Sequence, residues 1–147
     1  MDRLKLLILL GPTASGKTGL AVRLAESVGA EILNADSMQV YRSMDIGTAK
    51  PTMEQRRRVP HHLLDLVDPD ESFSAADFRI AAEKAIRDIT ARGKRVIVCG
   101  GAGLYIRALT KGLVAAPGGD EAIREELREV AEREGEGALH ALLEKVD

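Results

Sequence analysis

Tryptophan is absent from this 147-residue chain, and Phe and Tyr contribute only two residues each. Any core must therefore be built from Leu, Ile, Val and Ala. A single cysteine, Cys99, rules out an internal disulfide framework and fits a reducing, cytoplasmic setting. No run of about 18 apolar residues exists, so no membrane-spanning helix is expected. The apolar stretch at the start, Leu4–Leu10, is too short for a secretory core and is followed by a loop, not a cleavage site. Charge of one sign is also lacking: the formal net charge is −2, which by itself identifies no nucleic-acid binder. Repeats and low-complexity segments are missing too.

What is present is an ordinary globular composition, 45% hydrophobic and 30% charged. The charge is unevenly placed. Residues 118–147 hold ten Asp or Glu against four Lys or Arg, whereas residues 1–117 carry a small basic excess that suits an anionic ligand.

Apolar runs and helical stripes alternate along the chain. Leu4–Leu10 reads as a strand covered on both faces. Lys17 to Val28 carries Leu20, Leu24 and Val28 on one helical stripe, and Gly29 is placed to end it. Glu31–Ala35 reads as a second strand. Residues 37–60 read mainly as loop, with a short helix from Thr52, and His61–Val67 as a third strand. Ser74 and Asp77 mark a helix start, with Phe78, Ala82, Ala85, Ile86 and Ile89 on one face. Val96–Cys99 reads as a further strand, running into Gly100-Gly101-Ala102-Gly103 and a short helix. The alternation implies a mostly parallel α/β sheet flanked by helices. After Gly112 the pattern becomes helical and acidic, with stretches near 120–134 and 137–146 beyond Pro117-Gly118-Gly119. Residues 1–112 are thus expected to form the core and 113–147 a helical appendage.

One motif carries chemistry outright. Gly11-Pro12-Thr13-Ala14-Ser15-Gly16-Lys17-Thr18 fits G-x-x-x-x-G-K-[ST], between a strand and a helix, as a P-loop requires. Glycines let successive backbone N–H groups turn into one concavity, and the helix N-terminus adds partial positive charge. Lys17 would neutralise phosphate oxygens, and Thr18 would offer a hydroxyl to Mg²⁺. Asp36 follows the second strand, at the sheet edge where open α/β sheets form their ligand crevice. A carboxylate there either ligates Mg²⁺, accepts a proton from a nucleophile, or caps the following turn. His61 and His62 are adjacent on a strand and point to opposite faces, which argues against a shared metal. Arg56-Arg57-Arg58 reads as a solvated helix face, and Cys99 as a buried structural thiol.

Taken together, several segments resemble one family, the tRNA dimethylallyltransferases (tRNA isopentenyltransferases). They are 11–18, Asn-Ala-Asp-Ser-Met-Gln-Val-Tyr at 34–41, Met-Asp-Ile-Gly-Thr-Ala-Lys-Pro at 44–51, Pro-His-His-Leu at 60–63 and Gly-Gly-Ala-Gly-Leu-Tyr at 100–105. The resemblance implies a P-loop NTPase-like fold, with a helical tRNA-binding insertion starting near 113. It implies transfer of a dimethylallyl group from dimethylallyl diphosphate to N6 of the adenine 3′ of the anticodon. The P-loop, Gly11 to Thr18, would hold the diphosphate with Mg²⁺ on Thr18. Asp36 would be the general base, Thr13 would bond near the bridging oxygen, and Lys17 would grip the leaving group. Asp36, Ser37, Met38, Gln39, Ala102 and Arg124 would meet tRNA, with Ala102 standing where the family has Thr. A cytoplasmic monomer is expected, acting on the anticodon stem-loop.

Family members are longer, so this sequence is expected to stop within the helical insertion and to transfer little alone. Two other readings share parts of the pattern. A small-molecule kinase binding ATP shares residues 4–28, and an isopentenyltransferase of free adenine nucleotides shares the chemistry.

Overall fold

The computed structural model describes residues 6–113 and 119–146. The chain divides into two compact units, Met1–Leu113 and Val114–Asp147. Leu4, Lys5 and the Pro117-Gly118 break lie outside the described residues.

In the first unit, β1 (Leu7–Leu10), α1 (Lys17–Val28), β2 (Ala30–Ala35), α2 (Met53–Arg58), β3 (His61–His62), α3 (Ala75–Ala91), β4 (Arg95–Gly100) and α4 (Gly103–Lys111) follow in order. The four strands form one parallel sheet, in the order β1-β4-β2-β3. The expected α/β architecture, a P-loop-like sheet with helices on it, is what forms.

Every residue of β2 is buried, as are Val96–Gly100 of β4. Alternation along these strands separates two cores. Leu33, Val96 and Val98 face Phe78, Ala82, Ile86 and Ile89 of α3 and Tyr105 and Ile106 of α4. Ile32, Ile97 and Cys99 face Ala21, Val22 and Ala25 of α1. Phe78 stacks on Tyr105 at 4.2 Å between ring centroids. Burying a side chain such as Phe78 contributes about 1.5–3 kcal/mol, so these two layers stabilise the sheet.

The helix ends follow local chemistry. Capping boxes start α2 at Thr52 with Gln55, and α3 at Ser74 with Asp77. Gly29, at φ 65°, closes α1.

Two expectations are corrected. Leu4–Leu10 is covered on both faces only in part over its described residues: Ile8 packs on one core and Leu9 on the other, while Leu7 and Leu10 are exposed and, among the described residues, β1 pairs with β4 alone. A strand at a sheet edge has one flank without a partner. His61–Val67 is not one strand either. Leu63 and Asp65 take left-handed backbone, φ 62° and 54°, which ends β3 after His62. Val67 then makes a single parallel bridge to Tyr41.

The second unit consists of α5 (Glu121–Glu134) and α6 (Glu136–Leu143), which pack against each other. Asp120 caps α5 by accepting the N–H of Ala122 at 2.9 Å. No helix among the described residues is long and apolar enough to cross a membrane.

Candidate functional site

Strand register builds the site. Leu10 of β1 pairs with Gly100 of β4, and Gly100 pairs with Ala35 of β2. Three strands therefore end level with one another, and the segments that follow emerge side by side. These are the P-loop from Gly11, the Asp36 turn and the Gly101-Ala102 turn.

The P-loop is curled. The N–H of Ser15 donates to the Pro12 carbonyl at 3.4 Å, and Ala14 and Gly16 take φ 64° and 78°. Left-handed backbone is easy for glycine, and at Gly16 it turns the chain directly into α1 with no side-chain cap. The first N–H groups of α1 thus stay available to a ligand at the helix's positive end. Lys17 is the first residue of α1, and its ammonium reaches back over the loop to the Pro12 carbonyl and to Ser15 Oγ at 3.3 Å.

One cavity is lined by Thr13, Ala14, Lys17 and Thr18 on the P-loop side and by Asn34, Asp36, Gln39, Thr48 and Ala49 opposite. Cys99, Gly100 and Gly101 close it from β4. A neighbouring cleft places Gly11, Pro12 and Thr13 against Asp36, Ser37, Met38 and Ala102. The fold thus brings together the site residues singled out in the first unit, except Ser15 and Gly16, which line neither space. Arg124 lies in the second unit, on α5, where its guanidinium meets Glu121 Oε2 at 3.4 Å.

Asp36 is held in a turn. Its Oδ1 accepts the N–H of Met38 at 2.9 Å and of Gln39 at 3.3 Å. The turn-capping reading and the chemical reading therefore coexist, because a carboxylate retains further lone pairs for the cavity. Ala102 caps α4 by position, and its N–H donates to the Ala35 carbonyl at 3.1 Å. Cys99 is buried, and burial pushes its thiol above the ordinary value, so it is a poor nucleophile.

Hydroxyl and carboxylate oxygens converge here through Thr18 and Asp36. Hard oxygen donors beside a phosphate cradle are the set Mg²⁺ takes, one or two from protein and the rest from phosphate and water. Among the described residues, no three His, Cys, Asp or Glu form a metal-holding group. The adjacent histidines make structural contacts: His62 Nε2 meets Glu31 Oε2 at 2.6 Å, and His61 Nδ1 meets the Val59 carbonyl at 2.8 Å.

Sequence reasoning placed Gln39 at the site but missed Asn34, Thr48 and Ala49 on the far wall and the burial of Lys50 behind it. Asn34, Gln39 and Lys50 are buried polar residues. Asn34 Nδ2 donates to the His62 carbonyl at 2.8 Å, and Gln39 Nε2 to the carbonyls of Thr48 at 3.0 Å and Ala49 at 3.3 Å. In the basic run Arg57 and Arg58 are exposed, as a solvated face requires, and only Arg56 is half-buried. Arg56 donates to Asp65 at 2.9 Å, and Arg58 makes a two-pronged pair with Glu26. A loop composition hides such burial, because the partners lie far away in sequence.

Comparison with known proteins agrees with this geometry. A family described as IPP transferase matches residues 39–147, more than half of the chain. The tRNA dimethylallyltransferase of Geobacter metallireducens is 64% identical over 146 residues, covering 99% of this chain and 47% of its own length. That of Geobacter sulfurreducens is 59% identical with the same coverage. Among solved structures, the tRNA isopentenylpyrophosphate transferase of Bacillus halodurans superposes with a TM-score of 0.73 at 46% identity, covering 99% of this chain and 48% of the other. A eukaryotic dimethylallyltransferase acting on tRNA gives 0.70 at 38% identity, covering 75% and 28%. The chain spans about half the length of the curated relatives it matches. The Geobacter metallireducens and Bacillus halodurans matches cover 99% of the chain and the family match runs from Gln39 to the end, so the chain belongs to the IPP transferase family.

Proposed function

We propose that the protein carrying this sequence moves a dimethylallyl group from dimethylallyl diphosphate to N6 of the adenine 3′ of the tRNA anticodon. The observation that carries it is the single cavity shared by Lys17, Thr18 and Asp36. A lysine and the uncapped N-terminus of α1 face a carboxylate across that cavity. The named relatives are tRNA dimethylallyltransferases.

In this reading the P-loop amides and Lys17 hold the diphosphate, and Thr13 bonds near its bridging oxygen. Breaking the allylic C–O bond leaves both electrons on pyrophosphate, so charge neutralisation there lowers the barrier most. The adenine amine attacks the allylic carbon, and Asp36 takes the proton that the amine loses. Thr18 would hold Mg²⁺, which would supply further neutralisation of the leaving group. Ser37, Met38, Gln39 and Ala102 form the edge that meets the target nucleotide, and α5–α6 with Arg124 begin the tRNA-binding insertion. The protein works in the cytoplasm, as a monomer.

Affinity decides between this reading and an ATP-dependent kinase. A full-length protein carrying this sequence should bind dimethylallyl diphosphate more tightly than ATP and prenylate an anticodon stem-loop. Preference for ATP, with phosphate transfer, would replace the prenyl reading by the kinase.

A further inference from the structure

We propose that Lys50 is a positioning residue for the Asp36 carboxylate, acting through the loop that forms the far wall of the cavity. The catalytic consequence rests on the function proposed above. The structural part does not.

Lys50 has a side chain only 2% exposed, in a segment with almost no regular structure. Its ammonium donates to three acceptors, the Tyr41 carbonyl at 2.6 Å, Asp65 Oδ1 at 2.6 Å and Asp45 Oδ1 at 2.9 Å. An ammonium has three protons, so its donor capacity is used in full. Burial alone would push its pKa down; the Asp65 and Asp45 carboxylates outweigh that and hold it above the ordinary lysine value. Arg56 grips the other Asp65 oxygen at 2.9 Å, leaving two cations balanced by two carboxylates.

The loop needs such a clamp. Ser43, Ala49, Leu63 and Asp65 all carry left-handed backbone, φ between 49° and 62°, which is unfavourable for residues with a Cβ. Lys50 ties the two segments that contain them, 41–50 and 63–65, at one point. From there two short links reach the site. Gln39 Nε2 holds the carbonyls of Thr48 and Ala49, so the wall and the turn move together. The Gln39 N–H in turn donates to Asp36 Oδ1, and the Gln39 carbonyl accepts the N–H of Asp65. Asp36 is thus aimed by a turn whose far end is anchored on the same carboxylate-bearing residue that Lys50 holds. Gln39, Thr48 and Ala49 line the cavity itself, whereas Lys50 does not reach it.

Two measurements test this, one on the chain and one on catalysis. In the 147-residue chain, Lys50→Met should speed hydrogen exchange at the Met38 and Gln39 amides by about tenfold or more, since their protection depends on local order. Inorganic pyrophosphate binding should stay within about twofold, because the P-loop is not part of the clamp. Asp45→Asn, which keeps an acceptor oxygen but removes its charge at an exposed position without opening a buried gap, should shift the same amides in the same direction and by less. In a full-length protein carrying this sequence, Lys50→Met should cut single-turnover transfer by about tenfold to a hundredfold while diphosphate affinity holds, as misaimed catalytic groups do. Unchanged exchange in both variants would overturn the proposal. So would equal losses of transfer and diphosphate affinity. Should Lys50→Met fail to fold, Asp45→Asn alone decides. An unmodified protein that prenylates no RNA would sink the functional reading instead, and exchange at Met38 and Gln39 would still decide the role of Lys50.

Discussion

A side chain added at Gly100 would begin 2.0 Å from the carbonyl oxygen of Ala35. The two residues are ladder partners at the level where the P-loop, the Asp36 turn and the Ala102 turn all leave the sheet. Ala35 cannot retreat without moving Asp36, its immediate neighbour. Gly100→Ala should therefore destabilise the fold by about 1–3 kcal/mol, the range for overpacking a close contact. It should also weaken pyrophosphate binding. Gly103→Ala is the control: nothing lies within 4 Å of its added methyl, and it opens α4. Urea denaturation of both variants checks this, and similar losses at 100 and 103 would contradict it.

Asp36 does two jobs that one substitution can separate. Its Oδ1 caps the turn, which an amide oxygen can do equally well, but only a carboxylate can take a proton. In a full-length protein, Asp36→Asn should keep dimethylallyl diphosphate affinity and lose about 10²–10⁴ in transfer rate, as expected for a missing general base. Asp36→Ala should add a loss of turn order. Lys17→Ala should weaken binding and rate together, because it touches the phosphates before and during bond cleavage. If Asp36→Asn instead weakens binding as Lys17→Ala does, Asp36 is a metal ligand.

Acid should unfold the chain partly through Glu31. This nearly buried carboxylate is gripped by both Nη atoms of Arg92 and by His62, and the Arg92 bonds above all hold its pKa at about 2, against an ordinary 4.5. A depressed carboxylate stabilises the folded state fully above the unfolded value, and the benefit disappears as pH falls from 4.5 towards 2. Glu31→Gln should thus cost on the order of 2–3 kcal/mol at pH 7 and progressively less below pH 4.5. His61 pulls the same way at milder acidity. Burial pushes its imidazole below the ordinary 6.5, so protonating it opposes folding as pH drops. Denaturation midpoints at pH 7, 4 and 3 for both forms would show whether the Glu31 difference closes as stated.

Cys99 should alkylate slowly at neutral pH. Its thiol is buried and raised by that burial, although it borders the cavity beside Lys17 and Asp36. Iodoacetamide labelling should be at least about tenfold slower than for an exposed thiol, reactivity following thiolate fraction and access. Fast labelling in the native state would mean that this wall of the cavity opens.

Much of the molecule is written locally in its sequence. The P-loop is legible because its glycines, lysine and hydroxyl work at fixed spacing between a strand and a helix. The helices α1 and α3 are legible because their apolar stripes and their ends, Gly29 and Ser74 with Asp77, act within a turn or two. Asp36 could be placed at the sheet edge, since a strand ends just before it. Residues 37–67 behave differently. Their composition says loop, yet they hold Gln39 and Lys50 in the interior and end β3 after two residues. Those outcomes depend on Asp45, Asp65 and Arg56 meeting around one ammonium. β1 likewise has the composition of a central strand, but its place beside β4 leaves one flank without a partner among the described residues. The sequence by itself determined the curled loop from Gly11 to Thr18, the parallel α/β class and the helix boundaries, because each depends on residues close together in the chain. Only the tertiary structure decided the far wall and the aim of Asp36, because a buried charge is stable only where partners from separate turns of an irregular segment converge on it.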